Sequence, residues 1–138
     1  MTPRQIELVQ QTFARIQPIA GQAALLFYDR LFVLEPELRP LFKSGIEDQG
    51  RRLMQAIGTA VHNLARLEDV APALQALGRR HAGYGVREGH FGLVAVALLW
   101  ALDRSLGEAF TAEVEEAWIV AYMALAGIMR AAMREAAT

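Results

Sequence analysis

The 138-residue chain contains no cysteine. That excludes disulfides, thiolate zinc sites and tetrapyrroles attached through thioether bonds. It has only three histidines, His62, His81 and His90, and none lies three or four residues from another candidate ligand. A metal held by protein side chains alone is therefore not expected. The formal net charge is −1 and no basic stripe is present, which argues against nucleic acid as a partner. No stretch alternates apolar and polar residues as a half-buried strand would. The longest uninterrupted apolar runs, Phe91 to Leu102 and Trp118 to Met129, are shorter than a bilayer span, so no membrane association is expected. No basic segment followed by an apolar one opens the chain, and a cytoplasmic protein is the default. Repeats, linkers and low-complexity stretches are lacking, so residues 1–138 read as one domain.

What is present is apolar and helical. Hydrophobic residues make up 54% of the chain, above the globular average, which suggests a core that also wraps something or a hidden interface. Thr2 is placed to cap a first helix, with Pro3 at its first position and Gln5 completing a capping box. Ile6, Val9 and Phe13 share its inner side. Pro18 begins the next segment, where Ala24, Phe27, Tyr28, Leu31 and Phe32 form one face and Asp29 and Arg30 point away. Pro36 and Pro40 make a tight helical corner leading to Leu41 and Phe42. Gly45 opens a helix whose stripe is Gln49, Leu53, Ala56, Ile57, Ala60, Val61 and Leu64. A shorter helix carries Val70, Leu74, Leu77 and His81, and Gly83 and Gly85 end it. Two long helices follow, about 89 to 106 and 112 to 135, separated by Gly107, with Thr111 as the cap of the second. The fold class is all-α.

Three polar residues occupy positions where the periodicity asks for a hydrophobe. His81 continues the stripe of Val70, Leu74 and Leu77, and a core histidine bonded to a backbone carbonyl is the commoner explanation of such a residue. Gln49 heads its helix four residues before Leu53, where a glutamine reaching water would fit equally well. Tyr28 sits in "LLFYDRLF", and a buried tyrosine ordinarily finds one partner for its hydroxyl. Together they say more than singly. One imidazole is too few ligands for a bare ion, but it suffices for an iron whose in-plane ligands come from a porphyrin.

At this point the chain resembles the globin family over essentially its whole length. "LGRRHAGYGV" is similar to the proximal-histidine segment of neuroglobin-like and bacterial single-domain globins. Phe42, after the corner "EPELRPLF", matches the phenylalanine that packs on haem. "LLFYDRLF" matches the second helix and puts Tyr28 at the position facing the bound gas. "DQGRRLM" matches the start of the distal helix and puts Gln49 where vertebrate globins have histidine, with Leu53 one turn later. "FTAEVEEAWIVAYMALAGIM" resembles the final helix.

The resemblance implies a three-over-three helical sandwich around a non-covalent haem b (iron protoporphyrin IX). It implies His81 as the iron ligand and Tyr28 and Gln49 as the distal hydrogen-bonding pair. Phe42, Leu53, Leu77, Val86 and Phe91 become apolar walls, and Tyr84 packs at the haem edge. Lys43, Arg52 and Arg80 are candidates for the propionates, although solvated surface charge is the more frequent state of such residues. The implied function is reversible binding of O2, and of CO and NO, at a five-coordinate ferrous iron. The pair Tyr28 and Gln49 resembles the flavohaemoglobins, whose proximal tyrosine and glutamate align with Phe91 and Met133 here. Their reductase domain has no counterpart before Thr138. The alternative activity is nitric oxide dioxygenation with a separate reductase. A helical interaction domain without haem is a third reading, which His81 argues against.

Overall fold

The computed structural model describes residues 1–41, 45–83 and 90–137. Six α-helices carry the fold: α1 (Pro3–Ile16), α2 (Ala20–Leu34), α3 (Ile46–His62), α4 (Leu67–Gly83), α5 (His90–Leu106) and α6 (Ala112–Ala137). Short 3₁₀ turns join α1 to α2, α3 to α4 and α5 to α6, and a longer one, Pro36–Leu41, follows α2. Among the described residues there is no strand.

Local chemistry explains the helix ends. Thr2 accepts from the Gln5 amide at 3.1 Å while Gln5 Oε1 accepts from the Thr2 amide at 3.0 Å, so the capping box is made. Gly45 caps α3, and Glu47 and Asp48 in its first turn complement the helix dipole. At the far end Thr111 Oγ1 accepts from the Val114 amide at 3.2 Å. Gly107 lies between α5 and α6 with φ +59°, a left-handed conformation that costs a side-chain-bearing residue.

The layers are α1, α3 and α4 over α2, α5 and α6. Across them α4 packs on α6, α3 on α2 and α1 on α6, while α2 and α5 lie side by side within one layer. The main core joins Val9, Phe13 and Ile16 of α1 to Val61, Leu102, Ala117 and Trp118. Val9, Ile16 and Leu31 are essentially shut off from solvent. Truncating such a residue to alanine costs about 2–5 kcal/mol, because the cavity refills only partly.

Several side chains differ from the sequence reading. Ala56 is exposed, so the α3 stripe narrows to Leu53, Ile57, Ala60 and Val61. Its methyl falls at the stripe's edge, where an alanine loses little by facing water. Arg30 does not point away. It is half-buried with its guanidinium 5.3 Å from the Trp100 ring centre, and Arg104 lies 4.1 Å from the same ring. The aromatic face attracts both cations, an attraction invisible to helical periodicity. Val70, Leu74, Leu77 and His81 are half-buried rather than buried. Finally, His90–Ala109 and Ala112–Glu135 are each long and apolar enough to cross a membrane, each holding an 18-residue stretch of mean hydropathy 1.2 and 1.3 respectively. The two runs are extended at their ends by further helical residues of modest polarity. Both helices contribute buried residues to the bundle, among them Ala97, Ala101, Ala117 and Trp118.

Candidate functional site

Tyr28 is 3% exposed, on the inner face of α2. Phe27 meets its ring edge-on at 5.0 Å and Phe32 stacks near it at 6.0 Å. Its hydroxyl donates to the Gln49 carbonyl across the α2–α3 contact, at 3.4 Å. That is long for an O–H···O bond, and it aims the hydroxyl at the start of α3. Burial pushes the Tyr28 hydroxyl well above the ordinary tyrosine range, and it stays protonated as a donor. The two helices approach closely because Gly50, next to Gln49, has no side chain: a Cβ there would meet the Ala24 Cβ at 3.0 Å. Leu53 packs on the same apolar cluster as Tyr28, with Phe32, Ile46, Leu93 and Val94. Tyr28, Gln49 and Leu53 are thus brought together.

His81 lies in the last turn of α4, half-buried, with Nδ1 2.7 Å from the Leu77 carbonyl. A carbonyl only accepts, so Nδ1 carries the proton and the lone pair of the neutral ring is on Nε2. The bond also fixes the ring's rotation. Arg79 and Arg80, just before it, are exposed, as is Arg52 on α3. Phe91 is buried in a separate cluster with Ala126 and Met133. The Tyr122 hydroxyl donates to the Phe91 carbonyl at 2.6 Å and ties the first turn of α5 to α6. Phe91 and Met133 do lie together, but both are apolar and neither can hydrogen-bond an imidazole. Phe42, Lys43, Tyr84 and Val86 lie outside the described residues.

A family model for globins matches residues 25–129. The chain belongs to the globin family. This globin is similar to flavohaemoproteins from Bordetella parapertussis (32% identical over 133 residues), Bacillus subtilis (30% over 124) and Vibrio cholerae (28% over 131). Those alignments cover 94%, 88% and 93% of the chain, which spans about a third of each relative's length (33%, 31% and 33%). Its fold is that of a bacterial globin from Campylobacter jejuni, with TM-score 0.86, 24% identity and 97% of each chain covered. A hexacoordinated haem protein from a tardigrade matches with TM-score 0.87 at 19% identity, covering 97% of this chain and 96% of that one. An engineered carbene transferase from Rhodothermus marinus matches with TM-score 0.89 at 24% identity, over 98% and 94%.

Globins hold haem, and the donor chemistry of this one fits it. Haem iron takes a lone pair from a protein side chain, and a neutral His81 ring with its proton held on Nδ1 carries one at Nε2. Among the described residues no group of three or more His, Cys, Asp or Glu could hold a bare ion.

Besides Gly50, two residues important to the geometry escaped the sequence reading. Gly78, one turn before His81, lies against the Met129 backbone. Its signal was a glycine inside a helix, which costs about 1 kcal/mol against alanine unless close packing needs it. The other is Tyr122, whose signal was a polar tip in the apolar run "WIVAYMALAGIM".

Proposed function

We propose that this globin reversibly binds O2 and other diatomic gases at a non-covalently held haem b. His81 Nε2 is the axial ligand, and Tyr28 with Gln49 forms the distal pair. Leu53, Leu77 and Phe91, with Phe42 and Val86, are the apolar walls, with Tyr84 at the edge; Lys43, Arg52 and Arg80 are the candidates for the propionates. Haem, once bound, would supply an iron able to bind a diatomic gas. The remaining work falls to side chains. The Tyr28 hydroxyl donates to the gas, while Leu53 and Phe32 keep water away from it. A glutamine amide and a neutral tyrosine are poor ligands for ferrous iron, so the distal side stays open to gas.

The observation that carries this reading is the 2.7 Å bond from His81 Nδ1 to the Leu77 carbonyl, which leaves the ligating nitrogen defined. Titration of the purified chain with haem tests it. One equivalent should bind, and the ferrous form should give a five-coordinate spectrum. His81→Ala should lose the proximal signature and most of the affinity. A chain that stays colourless with haem, or a variant with unchanged affinity and spectrum, would overturn the proposal.

Nitric oxide dioxygenation with a separate reductase is the second reading. The likeness to flavohaemoproteins favours it. The apolar pair Phe91 and Met133, standing where the resemblance places the proximal tyrosine and glutamate, weighs against it. Nitric oxide consumption in cell extract with NADH or NADPH separates the two. Sustained turnover that vanishes in Tyr28→Phe and His81→Ala would make the protein an enzyme.

A further inference from the structure

Positive charge is concentrated on one indole where α2 and α5 lie side by side. Trp100 of α5 is half-buried, and two guanidinium groups stand over its ring. One, from Arg30 of α2, is 5.3 Å from the ring centre. The other, from Arg104 one turn further along α5, is 4.1 Å from it. One ring thus gathers two like charges from two helices. Neighbouring acids do not neutralise them. Asp29 and Asp103 precede the two arginines in sequence and are exposed, and among the described residues neither arginine forms an ion pair.

Each cation gains from the negative face of the indole, but two guanidinium groups brought to one ring also repel each other. Water weakens that repulsion at Arg104, which is exposed. Arg30 is less well served: it is half-buried, and its Nε is sealed from solvent without a hydrogen-bond partner. It therefore holds its charge partly dehydrated, where a counter-anion is worth more than in open water. A guanidinium presents its donors as a planar fork that matches two oxygens of a carboxylate or phosphate. A single carboxylate has oxygens and charge enough for one fork. A phosphoryl group, with three terminal oxygens and close to two charges, can answer both arginines.

We infer that Arg30, Trp100 and Arg104 form a binding site for a small soluble phosphate compound, a phosphomonoester or pyrophosphate, whose phosphoryl oxygens bridge the two guanidinium groups. Trp100 holds both arginines in place beforehand, so binding costs little side-chain freedom. Arg30 lies two residues beyond Tyr28, on the other side of α2, and none of the three residues is among those proposed to hold haem or gas. The site therefore stands or falls independently of that function. Once occupied, it ties α2 to α5.

Isothermal titration of pyrophosphate into the purified chain, in low-salt buffer free of other multivalent anions, tests this. One equivalent should bind, and the thermal midpoint should rise with pyrophosphate concentration as mass action requires. Arg104 is exposed, so Arg104→Gln leaves the fold intact and should weaken binding about tenfold or more. Arg30→Gln should weaken it similarly, with helicity checked by circular dichroism because Arg30 is half-buried. Arg4→Gln removes the same charge from the exposed pair with Glu113 and should leave binding unchanged. Absence of saturable binding overturns the inference. So does equal weakening by Arg104→Gln and Arg4→Gln, which would report net charge alone. Capture of the chain on phosphatidylglycerol vesicles without pyrophosphate binding would also overturn it and give the arginines to a lipid headgroup.

Discussion

Gly78 rests its bare Cα on the backbone of Met129. A methyl group built there would stand 2.9 Å from Met129 Cα and overlap its carbonyl oxygen. The contact sets how closely α4 lies on α6, and the next residue back, Leu77, supplies the carbonyl that orients His81. In an exposed helix, glycine to alanine gains up to about 1 kcal/mol. Here overpacking should reverse the sign: Gly78→Ala is predicted to lose about 1–3 kcal/mol in urea denaturation. A stabilised variant would show that α4 moves freely on α6.

Much of this arrangement was legible before the structure, and the parts that were not share a cause. The caps at Thr2, Gln5 and Thr111, and the start of α3 at Gly45, follow from local chemistry, which sequence spells directly. His81 stood out because a polar residue interrupted an apolar period. Gly78 on Met129, Gly50 on Ala24 and Arg30 on Trp100 depend on where two helices cross. No single-helix pattern reports a crossing. The half-buried state of Val70, Leu74 and Leu77 is likewise set by what faces α4, which its own periodicity leaves open.

Thr12 illustrates the same limit and gives a second prediction. It is buried in α1, donates its hydroxyl to the Leu8 carbonyl at 2.7 Å, and accepts from Trp118 Nε1 at 2.9 Å. Thr12→Val keeps the shape and removes the acceptor, leaving the indole N–H of a buried tryptophan without this partner. The expected loss is about 1–3 kcal/mol, read by chemical denaturation together with a shift in Trp fluorescence.

The third prediction concerns alkaline stability. Burial raises the hydroxyl of Tyr28, and it raises that of Tyr122 against a smaller lowering by Arg130. The folded state therefore favours neutral phenol more than the unfolded chain does. Stability from this source is complete below the unfolded tyrosine value near 10 and falls as pH rises beyond it toward the folded values. The thermal midpoint should be insensitive to these groups between about pH 7 and 9 and decline above about 10. Tyr122→Phe should flatten that decline, although losing the 2.6 Å bond to the Phe91 carbonyl lowers stability at neutral pH. An equally steep alkaline decline in Tyr28→Phe and Tyr122→Phe would assign it to other groups.

The last prediction rests on the proposed gas-binding function and isolates the role of one hydroxyl. Tyr28 is buried and protonated, and its hydroxyl lies 3.4 Å from the Gln49 carbonyl at the start of α3. Oxygen draws more negative charge than carbon monoxide when it binds ferrous haem, so a donor aimed at it is worth more. Removing a hydrogen bond of about 1.5–3 kcal/mol should speed oxygen release on the order of 10- to 100-fold in Tyr28→Phe. Carbon monoxide release should change far less, because Phe keeps the ring packed between Phe27 and Phe32. Gln49→Ala should have a smaller effect, since the Tyr28 hydroxyl bonds the backbone carbonyl of Gln49, which the substitution retains. Stopped-flow displacement of each gas from the ferrous protein measures both rates. Equal acceleration for the two gases would mean that Tyr28 acts through its bulk alone.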